Sequence, residues 1–210
     1  LFLLQEELHG TDLTIATVHS AGTLAEAKQI LISKHIDLAF LDLSLPDIFG
    51  LETYTRLQPL TSRVAVILLT GLNDTKVALQ ALVMGAQDYL IKGDFDEKLL
   101  SRAIRYSLER MRNLQHLRES EERYRELFNN NPLPMWVFDA ETLCFLEANS
   151  AAVQHYGYNQ KEFLTRSLAD LRLDGDRALL VREVEAVQQS GDGITKGILQ
   201  HVKKSGEIDR

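Results

Sequence analysis

Three polar residues of different chemistry each close a short apolar run. Ile36 to Leu41 runs into Asp42, Val64 to Leu69 into Thr70, and Tyr89 to Ile91 into Lys92. Short apolar runs alternating with helical patterns read as buried strands of a parallel sheet. In such sheets ligands collect at the carboxyl ends of the strands. The pattern therefore predicts an acid, a hydroxyl and an amine at one edge. That set suits holding a phosphoryl group on a carboxylate: the acid attacks phosphorus while a cation neutralises the incoming charge. It points to signalling rather than metabolism.

The elements that must position these residues are legible in outline. Leu1 to Leu8 is helix-like and ends at Gly10, and Leu13 to Val18 alternates with threonines as a strand does. Thr23 to Ser33 has helical spacing, Asp37 to Leu41 reads as a strand, and Pro46-Asp47 makes a turn before a short helix from Gly50 to Leu57. Val64 to Leu69 is the next strand, and Asn73 caps a helix closed by Gly85. Ala86 to Ile91 completes a βα alternation, which predicts an α/β layer with right-handed crossovers.

From Asp96 to Phe128 there is neither proline nor glycine, so one long helix is expected. Its apolar positions are Ile104, Leu108, Met111, Leu114, Leu117, Tyr124 and Phe128, with a stammer near Leu114. An exposed helix with such a stripe calls for a partner helix, and a coiled-coil homodimer is expected. After Asn129-Asn130-Asn131-Pro132 the grammar becomes α+β. Met135 to Phe138 and Leu143 to Leu146 read as antiparallel strands. Asn149 caps a helix through Tyr156, Asn159 and Glu162 start another with a capping box, Asp176 to Ser190 is amphipathic, and Ile194 to Val202 is a strand entering the Ser205-Gly206 turn.

The 210 residues suit one large or two small domains, and a net charge of −7 argues against a general nucleic-acid binder. The single cysteine, Cys144, excludes an internal disulfide and suits a reducing compartment. No apolar stretch approaches the roughly 18–20 residues of a membrane span. Both ends read as cut, so the expectation is part of a longer cytoplasmic protein.

The blocks Asp37-Leu-Ala-Phe-Leu-Asp42-Leu-Ser-Leu-Pro46-Asp47, Leu69-Thr70-Gly71 and Asp88-Tyr89-Leu90-Ile91-Lys92-Gly93 resemble the receiver domain of bacterial two-component systems. The resemblance covers residues 1–112 and implies a doubly wound, flavodoxin-like sheet of order 2-1-3-4-5. It implies that Asp42 is the phosphoacceptor, that Thr70 and Lys92 contact the phosphoryl oxygens, and that Tyr89 is the switch aromatic. It further implies Mg²⁺, held by Asp42, the Ser44 backbone carbonyl and an acidic pair. That pair and the first strand are absent from the chain, so Mg²⁺ binding is expected to be weak. Gly93 stands where receivers usually carry proline, which predicts a more mobile loop.

Residues 113–128 then form a linker helix, and 129–210 resemble a PAS sensor domain with its last strands missing. The resemblance rests on Arg118 to Phe128, Pro134-Met-Trp136-Val-Phe-Asp139, Asn149 to Tyr156, Gly157-Tyr158 and Glu162-Phe163. It implies an antiparallel sheet with helices over one face and a ligand pocket whose occupant the residues leave unknown. Cys144 and Trp136 read as core, His155 as a surface or capping residue, and His116 as an exposed helix residue. The expected function is phosphorelay: Asp42 takes a phosphoryl group from a histidine kinase or phosphotransfer protein and the helix passes the change to the PAS domain. The output expected beyond Arg210 is a histidine kinase or diguanylate cyclase, since no ATP-binding or cyclase signature is present. The alternatives are a dimerisation scaffold that is never phosphorylated, or a PAS-based small-molecule sensor.

Overall fold

The computed structural model describes residues 2–71, 74–173, 180, 182, 184 and 200–209. They divide into two compact units, Leu1–Glu119 and Ser120–Arg210. The expected cap Asn73, the amphipathic segment Asp176 to Ser190 apart from three positions, and Ile194 to Leu199 lie outside the described residues.

In the first unit, β1 (Leu38–Asp42), β4 (Ala65–Thr70) and β5 (Asp88–Ile91) form a parallel sheet in the order β1-β4-β5. A small antiparallel hairpin, β2 (Ser44–Leu45) with β3 (Ile48–Phe49), follows β1. The sidedness of β4 explains the layers. Val66 and Leu68 join Leu24, Tyr54, Leu57, Ala78 and Ala81 from α2 (Leu24–Ser33), α3 (Leu51–Leu57) and α4 (Thr75–Val83). Ile67 turns the other way, onto Leu8 of α1 (Phe2–Gly10) and Leu100, Ala103 and Ile104 of α5 (Glu97–Asn129). Alternate side chains of one apolar strand thus feed two cores, as expected for a sheet covered on both faces.

Leu13 to Val18 does not form the expected strand; Ile15 and Val18 are 43% and 52% exposed. Strand propensity is realised only against a partner strand. The doubly wound order requires a strand between this segment and β1, and the described residues contain none. For the same reason β1, central in the expected order, is an edge strand here.

In the second unit β6 (Trp136–Phe138) pairs antiparallel with β7 (Phe145–Ala148), and β8 (His201–Val202) pairs with β9 (Ile208–Asp209). The second strand therefore starts two residues later than Leu143. Leu143 has φ 60, a left-handed conformation that no strand residue adopts, and it closes the turn from Asp139. Strand alternation after that turn buries Leu143 and Phe145 and leaves Cys144 exposed, which corrects its reading as core. Helices α6 (Ser150–Tyr156) and α7 (Gln160–Leu164) begin as expected: Asn149 accepts the Ala152 N–H, and Asn159 and Glu162 make a reciprocal capping box. Gly157 ends α6 at φ 75, where a side chain would be strained.

The stripe expected along α5 separates into different environments. Ile104, Ser107 and Met111 are buried in the first unit and Phe128 in the second, while Tyr106, Leu114, Leu117, Tyr124 and Leu127 are exposed. Periodicity marks apolar positions but not which neighbour takes each. Among the described residues no helix is long and apolar enough to cross a membrane.

Candidate functional site

The ends of three adjacent strands are held level by backbone bonds. Asp42 lies opposite Leu69 and Thr70 opposite Ile91. Just past the paired residues, the Leu43 N–H donates to the Leu69 carbonyl (3.3 Å) and the Lys92 N–H to the Thr70 carbonyl (2.8 Å). Asp42, Thr70 and Lys92 therefore share the carboxyl edge of the sheet.

The Lys92 ammonium donates to Asp42 Oδ1 at 2.7 Å. The Ser44 N–H donates to the same oxygen at 2.8 Å, an Asx turn that fixes the carboxylate just after β1. No described donor reaches Oδ2. Sequence reasoning missed the Ser44 amide, although Asp followed two residues on by a turn residue is its signal. Asp47, read as a turn acid, accepts the Leu24 N–H with both oxygens (3.0 and 3.2 Å) and caps α2 from the hairpin.

Thr70 is 1% exposed, and its hydroxyl donates to the Gly71 carbonyl at 3.1 Å rather than to Asp42. Tyr89 is half-buried and packs against the core formed by α2, α3 and α4. Gly93 takes φ 80 in a turn closed by the Asp94 N–H on the Ile91 carbonyl (3.0 Å). Proline, fixed near −65°, cannot adopt that turn, so glycine here serves a defined reversal immediately after Lys92.

Among the described residues no three His, Cys, Asp or Glu side chains converge as a metal site. Asp42 and the Ser44 carbonyl offer two oxygens where Mg²⁺ takes near-octahedral oxygen coordination. By themselves these residues do not make a Mg²⁺ site.

In the second unit, among the described residues, aromatic side chains pack between β6, β7 and the helices. Trp136 meets Phe145 and Tyr156 edge-on, with centroids 6.2 and 5.4 Å away, and Phe163 is fully buried against Phe145. The Tyr156 hydroxyl and His201 Nδ1 are 2.6 Å apart. Burial pushes the Tyr156 phenol up to about 12, with the Asp209 charge adding to it. Burial, then the nearby Arg172 charge, holds His201 below the usual histidine range. His155 pairs with Asp209 across the surface, in line with its surface reading. Trp136 is packing and His116 is exposed, as expected.

Comparison with known proteins follows the same division. A family model for the response regulator receiver domain matches residues 2–105, and one for the PAS fold matches residues 122–207. The transcriptional regulatory protein ZraR of Salmonella typhimurium is 29% identical over 111 residues, 51% of this chain and 24% of its own length. FixJ of Azorhizobium caulinodans is 32% identical over 117 residues, 49% of this chain and 55% of that protein. The chain thus spans between a quarter and about half of these relatives. The PAS domain of an HTR-like protein from Haloarcula marismortui is 26% identical, with TM-score 0.40, over 46% of this chain and 78% of that one. Residues 2–105 are a response regulator receiver domain, and residues 122–207, on the same chain, are a PAS domain.

Proposed function

We propose that Asp42 accepts a phosphoryl group from a histidine kinase or a phosphotransfer protein, in the cytoplasm, and that α5 passes the change to the PAS domain and an output module. The observation that carries this reading is the convergence of two donors on Asp42 Oδ1, which leaves Oδ2 as the attacking oxygen. The new O–P bond forms at Oδ2 as the N–P bond of the donor phosphohistidine breaks and its electron pair returns to the imidazole. Lys92 shifts from the carboxylate toward the phosphoryl oxygens and neutralises their charge. The Thr70 hydroxyl leaves the Gly71 carbonyl for the same group, and Tyr89 follows into the space it vacates. The match to a response regulator receiver domain, and relatives named as transcriptional regulatory proteins, support this class of chemistry.

The partner along α5 is a second copy of the chain, also through the PAS domain. The pairing face is the exposed set Tyr106, Leu117, Tyr124 and Leu127 instead of the buried Ile104, Met111 and Phe128. The test of phosphorylation is incubation of the full-length protein with acetyl phosphate or beryllofluoride and Mg²⁺, beside Asp42→Asn. Phosphate on wild type and none on the variant is expected. Equal modification of both removes Asp42 from its role, and no modification of either favours the scaffold reading, which the thin metal donor set also suits.

A further inference from the structure

Asn149 does more than cap a helix. Its side chain is fully buried. Its Oδ1 accepts the N–H groups of Ala152 (2.8 Å) and Met135 (3.0 Å). Its Nδ2 donates to the carbonyls of Leu133 (2.9 Å) and Phe128 (3.0 Å), with Asn131 at 3.4 Å. Every donor and acceptor a carboxamide owns is in use. Its own backbone adds a bond from its N–H to the Met135 carbonyl (2.9 Å). Capping α6 needs only the Ala152 bond, which serine or threonine makes as well. The remaining bonds go elsewhere: to the last turn of α5, to the connecting loop and to the residue before β6.

The Phe128 carbonyl is one of the last-turn acceptors that a helix cannot satisfy internally. Around it α5 is held to the PAS unit by further contacts. Phe128 is buried, Tyr124 stacks on it at 5.5 Å, and the Tyr124 hydroxyl donates to Glu147 of β7 at 2.9 Å. From His116 to Leu127, by contrast, every residue is exposed. Asn149 therefore sits where α5 stops being a solvated rod and becomes part of a packed unit.

We propose that Asn149 is a conformational joint that locks the last turn of α5 to the start of β6 and the start of α6. The Phe128 carbonyl cannot turn or slide without drawing on the carboxamide that also holds Met135 and Ala152. The signalling role of this joint rests on the reading that α5 carries the phosphorylation change. The joint itself does not.

Hydrogen exchange on the whole chain separates the two. Asn149→Ser and Asn149→Thr keep the α6 cap but are too short to reach the three carbonyls, and Asn149→Ala loses everything. In the serine and threonine variants, amides in the last two turns of α5 are expected to exchange about tenfold faster, with α6 close to wild type. In the alanine variant both regions loosen. A serine or threonine variant with α5 unchanged, or with α6 loosened equally, reduces Asn149 to a cap and overturns the proposal. With acetyl phosphate and Mg²⁺, wild type is expected to change protection in α6 and the serine variant to lose that change. No donor response in wild type refutes the signalling reading, while the donor-free comparison still decides the joint.

Discussion

Lys92→Met separates a residue that reacts from one that merely stabilises. The substitution keeps an unbranched stem through Cε and removes the ammonium group with its charge. The Lys92–Asp42 pair is short, at 2.7 Å, yet its side chains keep 43% and 34% of their exposure. A pair this accessible contributes about 0.2–1 kcal/mol to folding, because water screens it in the folded state. Removing Lys92 leaves Asp42 hydrated and still held by the Ser44 N–H, so no large desolvation penalty follows. The melting temperature should stay within roughly 5 °C of wild type. During transfer the balance differs, because negative charge arrives next to a carboxylate. Loss of one preorganised donor there typically costs about 10²–10³ in rate, or roughly 3–4 kcal/mol. The assay follows the phosphorylated fraction by intact-protein mass spectrometry after acetyl phosphate addition, with a thermal melt on the same sample. A rate within about threefold of wild type would refute the proposed role. So would a collapse of the fold, since it would make Lys92 a structural residue.

Three further outcomes rest on the same physics. Gly93→Ala places a side chain at φ 80 and should cost about 1–2 kcal/mol in denaturant unfolding; an unchanged midpoint would mean that the turn re-forms at negative φ. His201 is held below the ordinary histidine range, first by burial and then by Arg172, against the opposing charge of Asp209. The folded chain therefore binds fewer protons there than the unfolded chain. The stability this contributes is complete above the ordinary value of about 6.5 and is lost as pH falls below it. His201→Gln should flatten that part of the stability–pH profile, and an identical slope in both proteins would contradict the assignment. Leu117→Glu with Leu127→Glu places charge on exposed positions of α5 and should convert a dimer to monomer in sedimentation; an unaltered association constant would end the helix-pairing proposal.

How far the fold was legible depended on whether each signal was local. The strand ends at Asp42, Thr70 and Lys92 could be read because an apolar run and its terminating polar residue are adjacent in sequence. The caps at Asn149 and Asn159 were readable for the same reason. Leu13 to Val18 misled because strand formation depends on a neighbour that no local window contains. Leu143 misled because nothing in an apolar residue announces a left-handed turn. At the candidate site the charges were foreseeable. The Thr70 hydroxyl on the Gly71 carbonyl was not, since backbone groups belong to every residue and only geometry selects among them, whereas the Ser44 amide on Asp42 carried an Asx-turn signal in its spacing.

Helix α5 shows why the same information limit matters for signalling. Its expected apolar stripe, interrupted by a stammer near Leu114, divides in the structure: Ile104 and Met111 are buried in one unit and Phe128 in the other. Between them His116 to Leu127 has no buried residue. Arg118 tethers the start of this stretch to the Ser62 carbonyl (3.0 Å), and the Glu121–Arg125 pair at 2.7 Å braces it within the helix. A segment of that length is marginal as an isolated helix in water, below or near the roughly 12–15 residues that sustain one. It is held by its anchored ends, which remove the cost of nucleation, and by the second copy proposed to cover Leu117 and Leu127. A signal carried by rotation needs this segment to stay helical. The lock at Asn149 and the proposed pairing with a second copy are therefore two parts of one requirement, because loosening either lets the helix absorb a displacement by fraying before Phe128 feels it.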